Sequence, residues 1–299
     1  MYDAIVIGAG PAGLQSALTL GRMHRSTLLL DSGDYRNGTV LHMHNVVAND
    51  GTPPAEFRAT ARVQLAEYAD VEIRDVGATT VTQTETAFSV LLADGDTVEA
   101  RHLILATGIA DDLPPVPGLQ ELWGTKAFIC PFCDGHEHAG LPIGIIGAAP
   151  RAEHLIGLLG RIVGDITVFP IEHPYTAEET RALEGLGAHV DLAPVTAVAP
   201  DGDGVRVSTE TAEQTVAGVF VASGSLRHRA PVADQLGLTL LPSGSIEIDD
   251  FGRTSLAGVF AAGDLAHSAS LPGPMASVLL AAAAGQLAAV GVIQSLMAP

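Results

Sequence analysis

The sequence has 299 residues, of which 47% are hydrophobic, 4% aromatic and 16% charged. That is enough for two domains with real cores, which excludes a disordered chain, and so few aromatics argue against a stacking platform for nucleic-acid bases. The formal net charge of -19 repels phosphate backbones and anionic membranes, which leaves a small molecule or a protein as the expected partner.

The first predicted element is an apolar strand over Tyr2–Ile7, followed at once by Gly8-Ala-Gly-Pro-Ala-Gly13 and a helix over residues 14–23. No basic or cleavage-type segment precedes it, so no secretory leader is expected and the cytoplasm is the expected compartment. Thr27–Leu30 is a second strand that ends at Asp31 and closes a βαβ unit. Residues 71–75 and 79–105 read as strands, with a turn at Asp94-Gly95 and a buried run before Thr107-Gly108. Residues 111–118 are proline-rich and read as a linker. A second βαβ pattern opens at residues 141–147, with a helix from about Arg151 and a strand over Ile166–Phe169. Further strands are expected at 205–207 and Val219–Ala222, and Gly258-Val-Phe-Ala-Ala-Gly-Asp264 closes a late one. The uncharged stretch 275–297 is long enough to cross a membrane, yet its alanines, glycines, Gln286 and Gln294 predict a buried helix instead.

Gly8, Gly10 and Gly13 form a dinucleotide fingerprint in its required context, with Asp31 18 residues beyond Gly13. The first glycine makes the turn, the second lets backbone approach a pyrophosphate, and the third lets helix and strand pack closely. Asp31 would accept ribose hydroxyls. The fingerprint alone does not separate FAD from NAD; Ala261-Ala-Gly263-Asp264 does. A carboxylate at the end of a late strand can hold a ribityl chain, and a helix from about Ala276 would aim its N-terminus at a flavin ring.

The two cysteines, Cys130 and Cys133, are too close in sequence for their bridge to stabilise the fold much, so the spacing points to redox chemistry. A C-x-x-C disulfide opens readily to an attacking thiolate, and Asp134 or His136 could carry protons as thiols ionise. Zinc is an alternative: Cys130, Cys133, His136 and His138 supply four ligands, although the H-x-H spacing is tight and there is no second C-x-x-C. Covalent haem fails because Asp134, not histidine, follows Cys133.

Taken in order, Gly8–Gly13, Asp31, Ala106-Thr107-Gly108, Cys130-x-x-Cys133-Asp134-Gly135, a second glycine turn and Gly258–Asp264 resemble the low-molecular-weight thioredoxin reductases along essentially the whole chain. The resemblance implies an α/β fold with two Rossmann-like domains of the pyridine nucleotide-disulfide oxidoreductase type. It implies a split FAD domain over 1–116 and 225–299, an inserted domain over 117–224, and a homodimer. It also implies that Cys133 lies nearer the flavin, that Cys130 meets the substrate, and that Asp134 is the acid–base residue. Three departures stand out. The second glycine turn reads Gly147-Ala148-Ala149-Pro150, where Ala149 would crowd a phosphate and Pro150 lacks an N–H. The stretch after the next strand has Glu172 and no arginine, which disfavours a 2′-phosphate. The Arg-Gln pair expected after Asp264 is replaced by Leu271-Pro-Gly-Pro-Met275. With Asp31-Ser32, Arg36-Asn37, His44-Asn45 and Asp50, the pattern looks more like the FAD-dependent dithiol oxidases that close disulfides in holomycin, gliotoxin and romidepsin-type compounds. The expected FAD contacts are Gly8, Gly10, Pro11, Ala12, Gly13, Asp31, Ser32, Arg36, Asn37, His44, Asn45, Asp50, Val76, Ala106, Thr107, Gly108, Gly263, Asp264, Met275 and Ala276, and no metal is expected. The expected catalytic residues are Cys130, Cys133, Asp134 and His136. The expected reaction oxidises a small-molecule dithiol with oxygen. A reductase fed by NAD(P)H or ferredoxin is the alternative.

Overall fold

A computed structural model describes residues 1–297. The chain forms two compact units, one from residues 1–38, 55–110 and the stretch from 226 onward, the other from 39–54 and 111–225.

The first unit is built on one sheet. Tyr2–Ile7 lies at its centre, parallel to Thr27–Leu30 on one side and to Thr97–Leu105 on the other. Val71–Arg74 extends the first side. On its other edge Thr97–Leu105 serves two further partners: its first half pairs antiparallel with Phe88–Leu92, the inner strand of the hairpin Ala78–Gln83/Phe88–Leu92, and its second half pairs parallel with Val259–Ala261. The central strands run apolar on both faces, as strands covered on both sides do. One face packs Ile5, Leu28, Phe88, Leu103 and Ile246; the other packs Val6, Leu29, Ile104 and Phe260 under two helices.

Those helices are Pro11–Arg22 and Val278–Met297. The first starts earlier than its apolar pattern alone indicated, because Gly10 caps it in extended conformation and Pro11 occupies the first turn, where no N–H is needed. The second packs only one face inward, so it is half buried rather than buried: Ala281, Gly285, Ala288 and Val292 are covered, while Leu279, Leu280 and Leu287 are exposed. The two helices meet closely. Ser16 Oγ donates to Gly285 O at 2.9 Å, and a Cβ on Gly285 would sit 2.0 Å from Ala12 O. Alanine in a helix gains about 1 kcal/mol over glycine, but a clash with fixed backbone costs about 3 kcal/mol. Gly285→Ala is therefore expected to lose about 2 kcal/mol in chemical denaturation. A neutral or stabilised variant would show that the helices separate freely.

The second unit has a parallel five-stranded sheet in the order His189–Val190, Ile166–Phe169, Ile143–Gly147, Val219–Ala222 and Ala127–Phe128. The helix Ala149–Leu159 covers it with Ala152, Leu155, Ile156 and Leu159, the spacing of one helical face. Val195–Asp201, Gly204–Thr209 and Glu213–Val216 form an antiparallel three-stranded sheet. The helices Pro54–Leu65 and Ala177–Gly185 carry weak apolar stripes, and the sequence reading did not find them. A capping box did mark the second: Thr176 accepts from the Glu179 N–H while Glu179 accepts from Thr176 N.

Candidate functional site

In the first unit the ends of three elements make a cradle. Gly8 has φ +110°, and a Cβ there would lie 2.4 Å from Ala106 O. A Cβ on Gly13 would lie 1.7 Å from Gly8 O. A Cβ on Gly10 would meet no protein atom within 4 Å, and no side chain caps the helix that starts there. The turn is thus tight on the protein side and open on the side where the first-turn N–H groups point, which suits a pyrophosphate.

Asp31, only 5% exposed, sits at the end of the next strand. It accepts from Gly33 N at 2.9 Å, Tyr35 Oη at 2.6 Å and Arg62 at 2.8 Å. One lone pair on Oδ1 remains for a ribose hydroxyl. Tyr35, Arg58 and Arg62 were not singled out in the sequence, because nothing in their local pattern marks them. Arg58 stacks 3.8 Å over the Tyr35 ring and donates to Asn37 Oδ1, and Arg62 also bonds Asp75. With Ser32 these side chains line a cavity of about 430 Å³ beside Asp31. Arg36 bonds Asp264 at 2.9 Å, which joins the loop after Asp31 to the end of the Val259–Ala261 strand. Gly263 places only 3.1 Å between a Cβ and the Ala12 Cβ. Val76 is half-buried against the core, and Thr107 and Gly108 follow Ala106 at the cradle rim. Met275 and Ala276 are exposed just before the C-terminal helix. This set fits FAD: a phosphate turn, a ribose acceptor and a late-strand carboxylate all belong to one unit.

His44, Asn45 and Asp50, expected with the flavin, fall in the second unit. There Cys130 and Cys133 form a disulfide across the short helix Pro131–Asp134, with Cα atoms 5.3 Å apart. Phe132 between them is 66% exposed. The Asp134 carboxyl is half-buried; burial pushes it up to about 6, the Glu137 charge adds to the rise and His44 opposes it. His136 is exposed. His138 turns into the core against Phe128 and Phe220, and its Nδ1 lies 2.8 Å from Asp134 O, so it pins the turn. The four candidate zinc ligands therefore do not converge, and no group of three or more metal-ligating side chains is gathered among the described residues.

The second glycine turn is built differently. Ala149 is packed in the core, so its methyl is not the obstacle the sequence indicated. The Tyr175 hydroxyl donates to Gly147 O at 2.5 Å, and burial raises its pKa well above the ordinary value. Arg151, in the first turn of the helix, donates to Gly224 O at 3.1 Å.

The chain matches the family described as pyridine nucleotide-disulphide oxidoreductase over residues 2–287. It belongs to that family. Within it the chain is thioredoxin reductase-like. Thioredoxin reductase tcpT of Claviceps purpurea (strain 20.1) is 33% identical over 310 residues, covering 99% of this chain and 96% of that protein. The structure of HlmI superimposes with a TM-score of 0.90 at 31% identity, covering 99% of this chain and 92% of that one. A putative thioredoxin reductase, TrxB of Bacillus anthracis, superimposes at 0.91 with 27% identity over 99% of this chain and 98% of its own. The pyridine nucleotide-disulphide oxidoreductase is thus an FAD-binding enzyme acting on thiols and disulfides.

Proposed function

We propose that the protein is an FAD-dependent dithiol oxidase that forms an intramolecular disulfide in a small molecule. The observation that carries this reading is the poor donor set at the second glycine turn, where Pro150 opens the helix, in a family whose name includes a pyridine nucleotide. A glycine turn that loses one N–H to Pro150, with Glu172 and no arginine after the next strand, offers a nicotinamide dinucleotide poor purchase. Electrons then enter through sulfur.

One substrate thiolate attacks Cys130 Sγ and breaks the Cys130–Cys133 bond, leaving Cys133 as a thiolate. The second substrate thiolate attacks the bridged substrate sulfur; a cyclic disulfide leaves, and Cys130 is released as a thiolate. Two electrons now rest on the cysteine pair, and Asp134 holds or returns a proton. Bound FAD supplies the two-electron acceptor, and oxygen takes the electrons on as hydrogen peroxide, so that dithiol and oxygen give disulfide and peroxide. Leu279, Leu280 and Leu287 are exposed on one helix, which supports a homodimer. A cytoplasmic location agrees with a cysteine pair that cycles rather than staples.

The relatives named as thioredoxin reductases favour a second reading, a disulfide reductase, which NAD(P)H or ferredoxin would feed. An anaerobic titration separates the two. NADPH is expected to leave the yellow flavin oxidised, while dithiothreitol bleaches it within seconds and readmitted air restores it with oxygen uptake. Rapid bleaching by NADPH defeats the oxidase reading.

A further inference from the structure

His44 lies in a loop that folds on itself. Met43 N donates to Thr52 O, Gly51 N to Met43 O, and Asn45 N to Asp50 Oδ1 at 2.7 Å. Met43 and Val46 are buried and anchor it, and Asn45 and Ala48 adopt positive φ of 58° and 66°. Such a loop is fixed by its own bonds rather than by a neighbouring strand. It holds His44 Nδ1 3.6 Å from Glu137 Oε1 and 3.8 Å from Asp50 Oδ1, with the imidazole 24% exposed. Glu137 follows Asp134 by three residues, on the turn that His138 pins from inside. The loop and the cysteine turn thus meet at a histidine between two carboxylates, of which Glu137 lies four residues beyond Cys133.

We propose that His44 and Glu137 are positioning residues that set the protonation of Asp134 and so tune proton transfer at the cysteine pair. The proposal rests on the thiol-exchange reading above, in which each thiolate formed or protonated needs a partner for its proton. The charged or titratable groups facing Asp134 and His44 are Glu137 and Asp50, with His138 bonded to the Asp134 carbonyl. Burial already favours the neutral Asp134 carboxyl. The Glu137 carboxylate disfavours a second anion beside it, and His44 opposes that rise. The two residues pull in opposite directions, so the signs are fixed in advance.

The test is a carboxyl-carbon NMR titration of the holoenzyme labelled at aspartate, with Asp134→Asn identifying the resonance. Glu137→Gln removes an anion, so the Asp134 midpoint is expected to fall; His44→Asn removes the group that opposes the rise, so the midpoint is expected to go up. Each shift should reach about half a pH unit, roughly threefold in the dissociation constant. The double variant should return towards the parent midpoint. The pH limb for anaerobic reduction of the disulfide by dithiothreitol, followed between about pH 5 and pH 8, should move in the same two directions. A merely structural role gives a different result: exposing Asp134 to water lowers its midpoint in both variants. That outcome, or no movement in either, overturns the proposal. If His44→Asn does not fold, His44→Gln carries the same sign. The resonance needs neither oxygen nor turnover, so a protein that fails to oxidise dithiols still answers this question.

Discussion

Cys130→Ser is expected to lose at least about 1,000-fold in dithiol turnover while keeping its FAD. A serine hydroxyl cannot form the mixed disulfide, so the exchange that opens the Cys130–Cys133 bond has no acceptor sulfur. The fold has little reason to notice. The bridge spans three residues, the turn is held by Gly135 N on Pro131 O and by His138 on Asp134 O, and the FAD cradle is built from the other unit. Cys133→Ser should lose turnover to a similar degree but leave a Cys130 thiolate able to attack an added linear disulfide, keeping one half as a mixed disulfide and releasing the other as a thiol, visible as an adduct by intact-mass measurement. Turnover of Cys130→Ser within tenfold of the parent would mean that substrate thiols bypass the cysteines. Colourless protein would mean that the cysteines are structural.

Gly13→Ala is expected to yield protein that purifies almost without flavin, its FAD affinity reduced about 100-fold or more. The added Cβ falls 1.7 Å from Gly8 O, and Gly8 is itself pressed against Ala106 O. Neither backbone can yield without moving the strand end or the helix, so the cradle opens; at about 3 kcal/mol for such overpacking, the affinity follows. Gly10→Ala is the informative contrast. Its Cβ meets no protein atom within 4 Å, so the apoprotein should unfold at the parent temperature, yet the methyl stands where a pyrophosphate would approach. The absorbance ratio of flavin to protein, together with melting of both apoproteins, reads the two effects. If Gly10→Ala retained full flavin content and affinity, the phosphate would not lie over that turn.

The cysteine pair, the Gly8–Gly13 turn with Asp31, and Gly263-Asp264 were all legible in the sequence, because each is a short stretch whose chemistry depends on residues a few positions apart. So were the strands Tyr2–Ile7, Thr27–Leu30 and Ile166–Phe169, whose apolar runs need no partner to be recognised. The weakly amphipathic helix Pro54–Leu65 was not, although it supplies Arg58 and Arg62 to the cavity beside Asp31. For His44 the family resemblance implied a flavin contact, and only the folded loop shows Glu137 at 3.6 Å and Asp50 at 3.8 Å from its ring.

The sequence by itself determined which unit types the chain would build and where its sulfur chemistry would sit, since local spacing dictates both. Only the tertiary structure decided what surrounds each group. Tyr175 reaches Gly147 O across 28 positions, and Arg62 reaches Asp31 across 31. Burial and partner charges act through distance in space, which the order of residues does not encode until the chain has folded.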